Sequence, residues 1–320
     1  MVEPPSQYAL RRAQRRRQLR RRRLAGVGVL LAVVAALVLV LVSTGGGGSA
    51  TGRPSASVRA AANGSQLATH RVRAGHQRGA VARAEVIGNE TAQRLAKLGL
   101  PVYCGGHRGD EVAFTFDDGP GPYTSLALKK LREAHERATF FVVGRSADQF
   151  PGYLPQELKV AAIGDHTYTH PELTALPASE VYSQISRTAQ KIEAESGEHV
   201  DLFRPPYELH NATVDQIAKQ LGLLEILWNV DSADSLGADY AQIARNVEAG
   251  LRPGSIILMH ENRGQTIRAL TTLLPELHSR HLRSVSIPGL LASDPPSEAQ
   301  LRAGPAGCGL AGTARPGSGG

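Results

Sequence analysis

Two adjacent carboxylates, Asp117 and Asp118, sit in the stretch Thr115-Phe116-Asp117-Asp118-Gly119-Pro120. The apolar run Val112-Ala113-Phe114 before them reads as a buried strand, and Asp-Gly-Pro is turn chemistry that makes such a strand stop. Neighbouring side chains at a strand end diverge, so one carboxylate can hold a metal while the other faces whatever the metal activates. Read alone, Asp-Asp-Gly is more often a turn with two solvated carboxylates. Four further clusters change that weighting.

His166-Thr167-Tyr168-Thr169-His170 follows the strand-like Ala161-Ala162-Ile163 and is ended by Pro171. Imidazoles four apart converge on one ion if the segment turns helically, and with Asp118 they make two histidines and a carboxylate, a set that suits a divalent metal. Arg204-Pro205-Pro206-Tyr207 places a guanidinium, able to grip a carboxylate through two hydrogen bonds, before a rigid turn whose next backbone N–H can meet a developing oxyanion. Asp231 and Asp234 follow Leu227-Trp228, and Leu258-Met259-His260 carries an imidazole to the end of an apolar run. Each has a plainer reading, as a surface salt bridge, a turn or a satisfied core histidine.

The elements that must position these residues alternate. Strand patterns fall at 112–116, 138–143, 160–163, 202–204, 223–228, 255–259 and 283–286, and helical patterns at 125–136, 178–196, 213–221, 239–251 and 265–280. Such alternation gives a parallel sheet. About seven units with chemically loaded residues at strand C-terminal ends favour a distorted (β/α) barrel of TIM type over an open doubly wound sheet, for which no Gly-rich dinucleotide loop is present.

Taken in order, the five clusters and Ala138-Thr139-Phe140-Phe141 resemble the NodB-homology polysaccharide deacetylases, carbohydrate esterase family 4, over about residues 110–290. The resemblance implies Asp117 as catalytic base and Asp118, His166 and His170 as ligands of a divalent metal, Zn2+ first, with Co2+ or Ni2+ as alternatives. It implies Arg204 as the residue orienting the base, the Tyr207 N–H as an oxyanion donor and His260 as catalytic acid tuned by Asp234. Leu258 would be a wall for the acetyl methyl. The family places Trp after the fourth-cluster Asp, where this chain has Ser235, which leaves open what a sugar ring stacks on. The implied activity is hydrolytic removal of N-acetyl groups from a polysaccharide, with the GlcNAc or MurNAc of peptidoglycan as the expected substrate. Two other readings are a non-haem iron oxygenase, because two histidines and a carboxylate also suit Fe(II), and a wall-binding module without catalysis.

The formal charge of +7 is not a nucleic-acid signal. Nine of the 36 basic residues are arginines before residue 24, where Glu3 is the only acid, and the rest of the chain is near neutral. That basic segment, 1–23, abuts the uncharged apolar run 24–42, which at about 1.5 Å per residue is long enough to cross a bilayer core. Arginines on its N-terminal side keep that end in the cytoplasm and place the remainder outside, as a single-pass anchor or, alternatively, after signal cleavage. Gly/Ala/Ser/Arg-rich 43–90 reads as a flexible linker, 105–292 as the catalytic domain, and Gly/Pro/Ala-rich 293–320 as a disordered tail. Cys104 and Cys308 could pair outside the membrane, clipping tail to domain; spacing alone leaves this and two independent thiols equally open.

Overall fold

The computed structural model describes residues 66–309, with side chains from residue 79 on. The basic segment 1–23, the expected membrane span 24–42, the linker as far as residue 65 and residues 310–320 lie outside the described residues. Among those described, no helix is long and apolar enough to cross a membrane. The chain divides into two units, Met1–Arg78 and Gly79–Gly320, and the second holds every described strand.

Helix α1, Gln66–Ala96, corrects the second half of the expected flexible linker. Ala, Arg, Gln, Leu and Glu are strong helix formers and outweigh three glycines over this length. Its end is also anchored, because Ala92, Leu95 and Ala96 are buried in one cluster with Val102, Leu224 and Ile226.

Strand β1, Glu111–Gly119, is followed by α2, Thr124–Ala134, and β2, Ala138–Val142. Two short helices, α3 at Gly144–Gln149 and α4 at Leu154–Glu157, lead to β3, Ala161–Asp165, and to α5, Ala178–Ser196. Next come β4, Leu202–Phe203, α6, Ala212–Gln220, β5, Leu224–Glu225, β6, Val230–Asp231, and α7, Tyr240–Gly250. The last elements are β7, Ile256–His260, α8, Gly264–Ser279, β8, Arg283–Ser284, α9, Ile287–Ser293, and α10, Glu298–Ala303. Every pairing between these strands is parallel.

The order across the sheet is β5-β4-β3-β2-β1-β7-β6, with β8 beside the start of β1. β5 and β6 are consecutive in the chain yet occupy opposite edges, so the sheet must curl until its edges face each other across residues 226–229. The segment entering β1 helps to fill the seam, through bridges from Val102 to Ile226 and from Cys104 to Ser255. The expected distorted (β/α) barrel is therefore a curled half-barrel whose strand ladder is incomplete between β5 and β6.

Alternation along β1 sorts chemistry from packing. Val112, Phe114 and Phe116 point outward into a cluster with Leu128 and Leu131 of α2 and Leu270 and Leu273 of α8. Ala113, Thr115 and Asp117 consequently face the barrel interior. β7 repeats the pattern, with Ile257 and Met259 in the outer cluster and Ile256, Leu258 and His260 inside. The register sets Thr115 against Leu258 and Asp117 against His260.

The expected disordered tail is also corrected as far as it is described. Ser297 caps α10 in a reciprocal capping box with Gln300, Leu301 is buried, and Cys308 forms a disulfide with Cys104. A short segment too poor in apolar residues to order itself is fixed by its cap and by a covalent staple.

Candidate active site

Asp117 is the last interior residue of β1 and is almost fully buried. Its Oδ1 accepts a hydrogen bond of 2.8 Å from Arg204. Arg204 follows β4 and is wholly buried, the largest side chain so enclosed among the described residues. The guanidinium also donates to Thr115 Oγ1 at 2.8 Å, to the Ile226 carbonyl at 2.9 Å and to the Leu227 carbonyl at 3.2 Å, and lies 4.0 Å from the centre of the Phe141 ring. A buried cation survives only when paired and hydrogen-bonded, and here four acceptors fix both its charge and its plane. Asp117 is thus held from one side, leaving Oδ2 toward His166.

Asp118 turns the opposite way because its backbone is left-handed, φ 74°. Its Oδ1 lies 3.3 Å from His170 Nε2 and 3.8 Å from His166 Nε2, and the ligand atoms of the three residues all fall within 4.8 Å of one another. His166 Nδ1 lies 2.7 Å from the Arg204 carbonyl, which can only accept, so Nδ1 carries the hydrogen and Nε2 offers a lone pair. Burial, with His166 beside it, pushes His170 down to about 4, so at neutral pH it is an uncharged donor. Burial opposes the charge on Asp118, but His260, His170, His166 and Arg263 more than offset it and hold that carboxyl at about 2. Two imidazoles with Nε2 turned to one point and one charged carboxylate make a donor set that fits a divalent cation.

The histidine segment does not turn helically, as the four-residue spacing suggested. Thr167 and His170 adopt left-handed backbone, φ 67° and 58°, and side chains satisfy the loop: Asp165 accepts from the Thr167 N–H, and Gln184 Oε1 from those of Tyr168 and Thr169. Of the eight described non-glycine residues with positive φ, six are Asp118, Thr167, His170, Tyr207, Glu208 and Ala233, all at strand ends or in the turns that follow them at this mouth of the barrel. Strain of this kind collects where side chains must be aimed.

His260 closes the opposite side. Its Nδ1 is 2.7 Å from Asp234 Oδ1, while Asp234 Oδ2 accepts from the His260 N–H at 2.8 Å and from Thr266 Oγ1 at 2.6 Å. Burial disfavours the imidazolium, but the Asp234 carboxylate and its hydrogen bond, helped by Asp118 and Asp117, raise His260 to about 9. Tyr207 lies in a 3-10 turn with φ 65°, its ring edge-on to His170 and its hydroxyl donating to the His170 carbonyl at 3.3 Å. Leu258 is buried on the interior face one step down β7 from His260. Asp231 accepts the Ala233 N–H that shapes the turn to Asp234.

The structure therefore brings together Asp117, Asp118, His166, His170, Arg204, Tyr207, Asp234, Leu258 and His260. It adds residues to which the sequence reading gave no role. Thr115 and Thr266 share the loads of Arg204 and Asp234. Glu261 is buried beneath Gly119, where a Cβ would fall 1.2 Å from its Oε1, and takes a 2.5 Å hydrogen bond from Thr124. Thr115 stood inside the first cluster and Glu261 directly continues an apolar strand; Thr266 carried no signal in the sequence.

A buried carboxylate and a buried imidazole, each held by an oppositely charged side chain beside three candidate cation ligands at the C-terminal mouth of a parallel barrel, form a set suited to metal-assisted chemistry. Similarity to known proteins makes the class particular. Residues 105–226 match the family described as "Polysaccharide deacetylase". A peptidoglycan-N-acetylglucosamine deacetylase of Bacillus cereus is 32% identical over 195 residues, covering 59% of this chain and 71% of that protein. A protein of the same description from Listeria monocytogenes is 36% identical over 178 residues, 55% of this chain but 38% of its own length, so the chain spans well under half of that relative. The crystal structure of the Bc1960 peptidoglycan N-acetylglucosamine deacetylase, in complex with an N-hydroxybenzamide, superposes with a TM-score of 0.58 at 31% identity, covering 60% of this chain and 92% of that one. The chain belongs to the polysaccharide deacetylase family.

Proposed function

We propose that the chain is a metal-dependent hydrolase that removes N-acetyl groups from the N-acetylglucosamine of peptidoglycan, working outside the cell from a single N-terminal membrane anchor. The observation that carries the chemistry is the facing pair of proton-transfer groups, Asp117 gripped by Arg204 and His260 gripped by Asp234, on either side of Asp118, His166 and His170. The relatives' described substrate supports the glycan, and the arginines beside the apolar segment 24–42 support the topology.

Asp118, His166 and His170 would hold the cation, Zn2+ by donor type, which when bound polarises the acetamide carbonyl and makes a water acidic. Asp117 is the base. Its Oδ1 is committed to Arg204, so Oδ2 is the atom that accepts the proton of the attacking water. The Tyr207 N–H faces the developing oxyanion. His260, charged at neutral pH, has Nδ1 tied to Asp234, so the proton given to the departing amine leaves from Nε2. Leu258 closes the interior face against the acetyl methyl. The oxygenase reading gives Asp117, Arg204 and His260 no task.

Acetate release from N-acetylated chito-oligomers and from intact peptidoglycan, with and without a chelator and with zinc added back, tests the reading. Release restored by zinc is the expected result. No release from either substrate by the zinc-loaded chain overturns it.

A further inference from the structure

A second cluster lies outside the mouth just described. His210 ends the loop that begins at Arg204, Asp215 is on the first turn of α6, and Glu225 is on β5. Their ligand atoms all lie within 4.8 Å of one another. His210 Nδ1 is 2.9 Å from Asp215 Oδ1 and 3.4 Å from Glu225 Oε1. We propose that these three residues form a second divalent-cation site, of the zinc class, that ties β5 to the loop carrying Tyr207.

The argument rests on hydrogen-bond arithmetic. One imidazole nitrogen carries at most one hydrogen, and Asp215 takes it at 2.9 Å. Both oxygens of Glu225 are then buried with no hydrogen-bond partner, although the residue is only 5% exposed. No lysine or arginine nitrogen lies within ion-pairing distance of either carboxylate among the described residues; their ion-pair partner is His210. Glu208 adds its negative charge nearby. A buried carboxylate beside another needs a proton or a cation.

One imidazole nitrogen and two carboxylates suit Zn2+ or a similar first-row ion better than Ca2+ or Mg2+, which prefer oxygen alone. An ion here would join three separate pieces of chain: the Arg204–His210 loop, the N-terminal turn of α6 and the edge strand β5. Tyr207 and Glu208 hold left-handed backbone in that loop, φ 65° and 61°, so a fastening at His210 would steady the strained turn from its far side. Such a site neither touches Asp118, His166 or His170 nor depends on what reaction they support.

The test is zinc stoichiometry on the full chain, titrated against a chromophoric chelator. Wild type is expected to bind two equivalents and Glu225→Gln one, with His210→Gln repeating the loss in case the first variant repacks. The remaining equivalent should disappear in Asp118→Ala. Zinc uptake at the second site should also release protons into a weakly buffered solution, because Glu225 and His210 must give theirs up. Circular dichroism of the variants checks that they fold; Glu225→Gln keeps the shape of the protonated carboxyl and should retain its spectrum. Equal zinc content and equal proton release in wild type, Glu225→Gln and His210→Gln overturn the proposal.

Discussion

Replacing Asp234 with Asn changes one atom and should move one titration. In the wild type, Asp234 makes three hydrogen bonds, two of them to His260. Asn can keep accepting from the His260 backbone and from Thr266 through its remaining oxygen. Its amide, however, donates toward Nδ1, and the imidazolium loses its counter-charge while remaining buried. His260 is raised from the ordinary 6.5 to about 9 with Asp234 in place. Without it, burial is opposed only by the smaller effects of Asp118 and Asp117, and the value should fall to about 6.5. A displacement of about two and a half units is worth about 3 kcal/mol of preference for the charged form. At pH 8 the imidazolium fraction falls from about nine-tenths to about three in a hundred, a loss of about thirtyfold in rate, whereas at pH 5.5 the two enzymes should be nearly equal. A divalent ion at Asp118 lowers both values together and leaves their difference in place. The assay is kcat/KM for acetate release from pH 5 to 10, with metal content checked at each end. The same pair contributes to stability: because the folded value is raised, the contribution is complete below about pH 6.5 and disappears as pH climbs through about 9. A defect of the same size at every pH, or an unmoved alkaline limb, would refute the assignment of His260 as the acid.

Asp117→Asn should keep its metal and lose turnover by about two to four orders of magnitude, while Asp118→Ala should lose metal and activity together, as metal analysis beside the rate assay would show. Arg204→Leu leaves Asp117 buried without its partner and should destabilise the domain by about 3–5 kcal/mol in urea unfolding. Cys308→Ser opens a loop of 204 residues, and chain entropy sets an upper expectation of about 5 kcal/mol, read as a lower unfolding midpoint that added reductant reproduces in wild type but does not worsen in the variant. Protease added to intact cells should remove the domain from the surface; a protected domain would sink the membrane topology.

Long patterns were legible and short ones were not. Helix α5 shows its boundaries in the sequence because Pro177 opens it, Gly197 ends it, and Val181, Ile185 and Ile192 keep one buried face. Strand β6 is two residues long, too short for any period to register, yet it delivers Asp234 to His260. The site residues stood out because each follows an apolar strand, which brings them to one end of a parallel sheet whatever the loops do. What the sequence could not show is how a loop aims them. Nothing in His-Thr-Tyr-Thr-His announces two left-handed residues, and the Gln184 side chain that satisfies that loop comes from α5. The ordered C-terminal segment was hidden for a related reason, since its stability lies in a bond to Cys104 that no local composition records.

The seam between β5 and β6 gives Arg204 a second employment. Where the ladder has no strand partner to offer, its guanidinium reaches the carbonyls of Ile226 and Leu227, so the charge that grips Asp117 also stitches the barrel wall. A lysine has no planar fork to span both. If the proposed reaction is right, an inert version of this scaffold is made by changing Asp117 and leaving Arg204 alone, because the first change would stop that reaction and the second would open a wall.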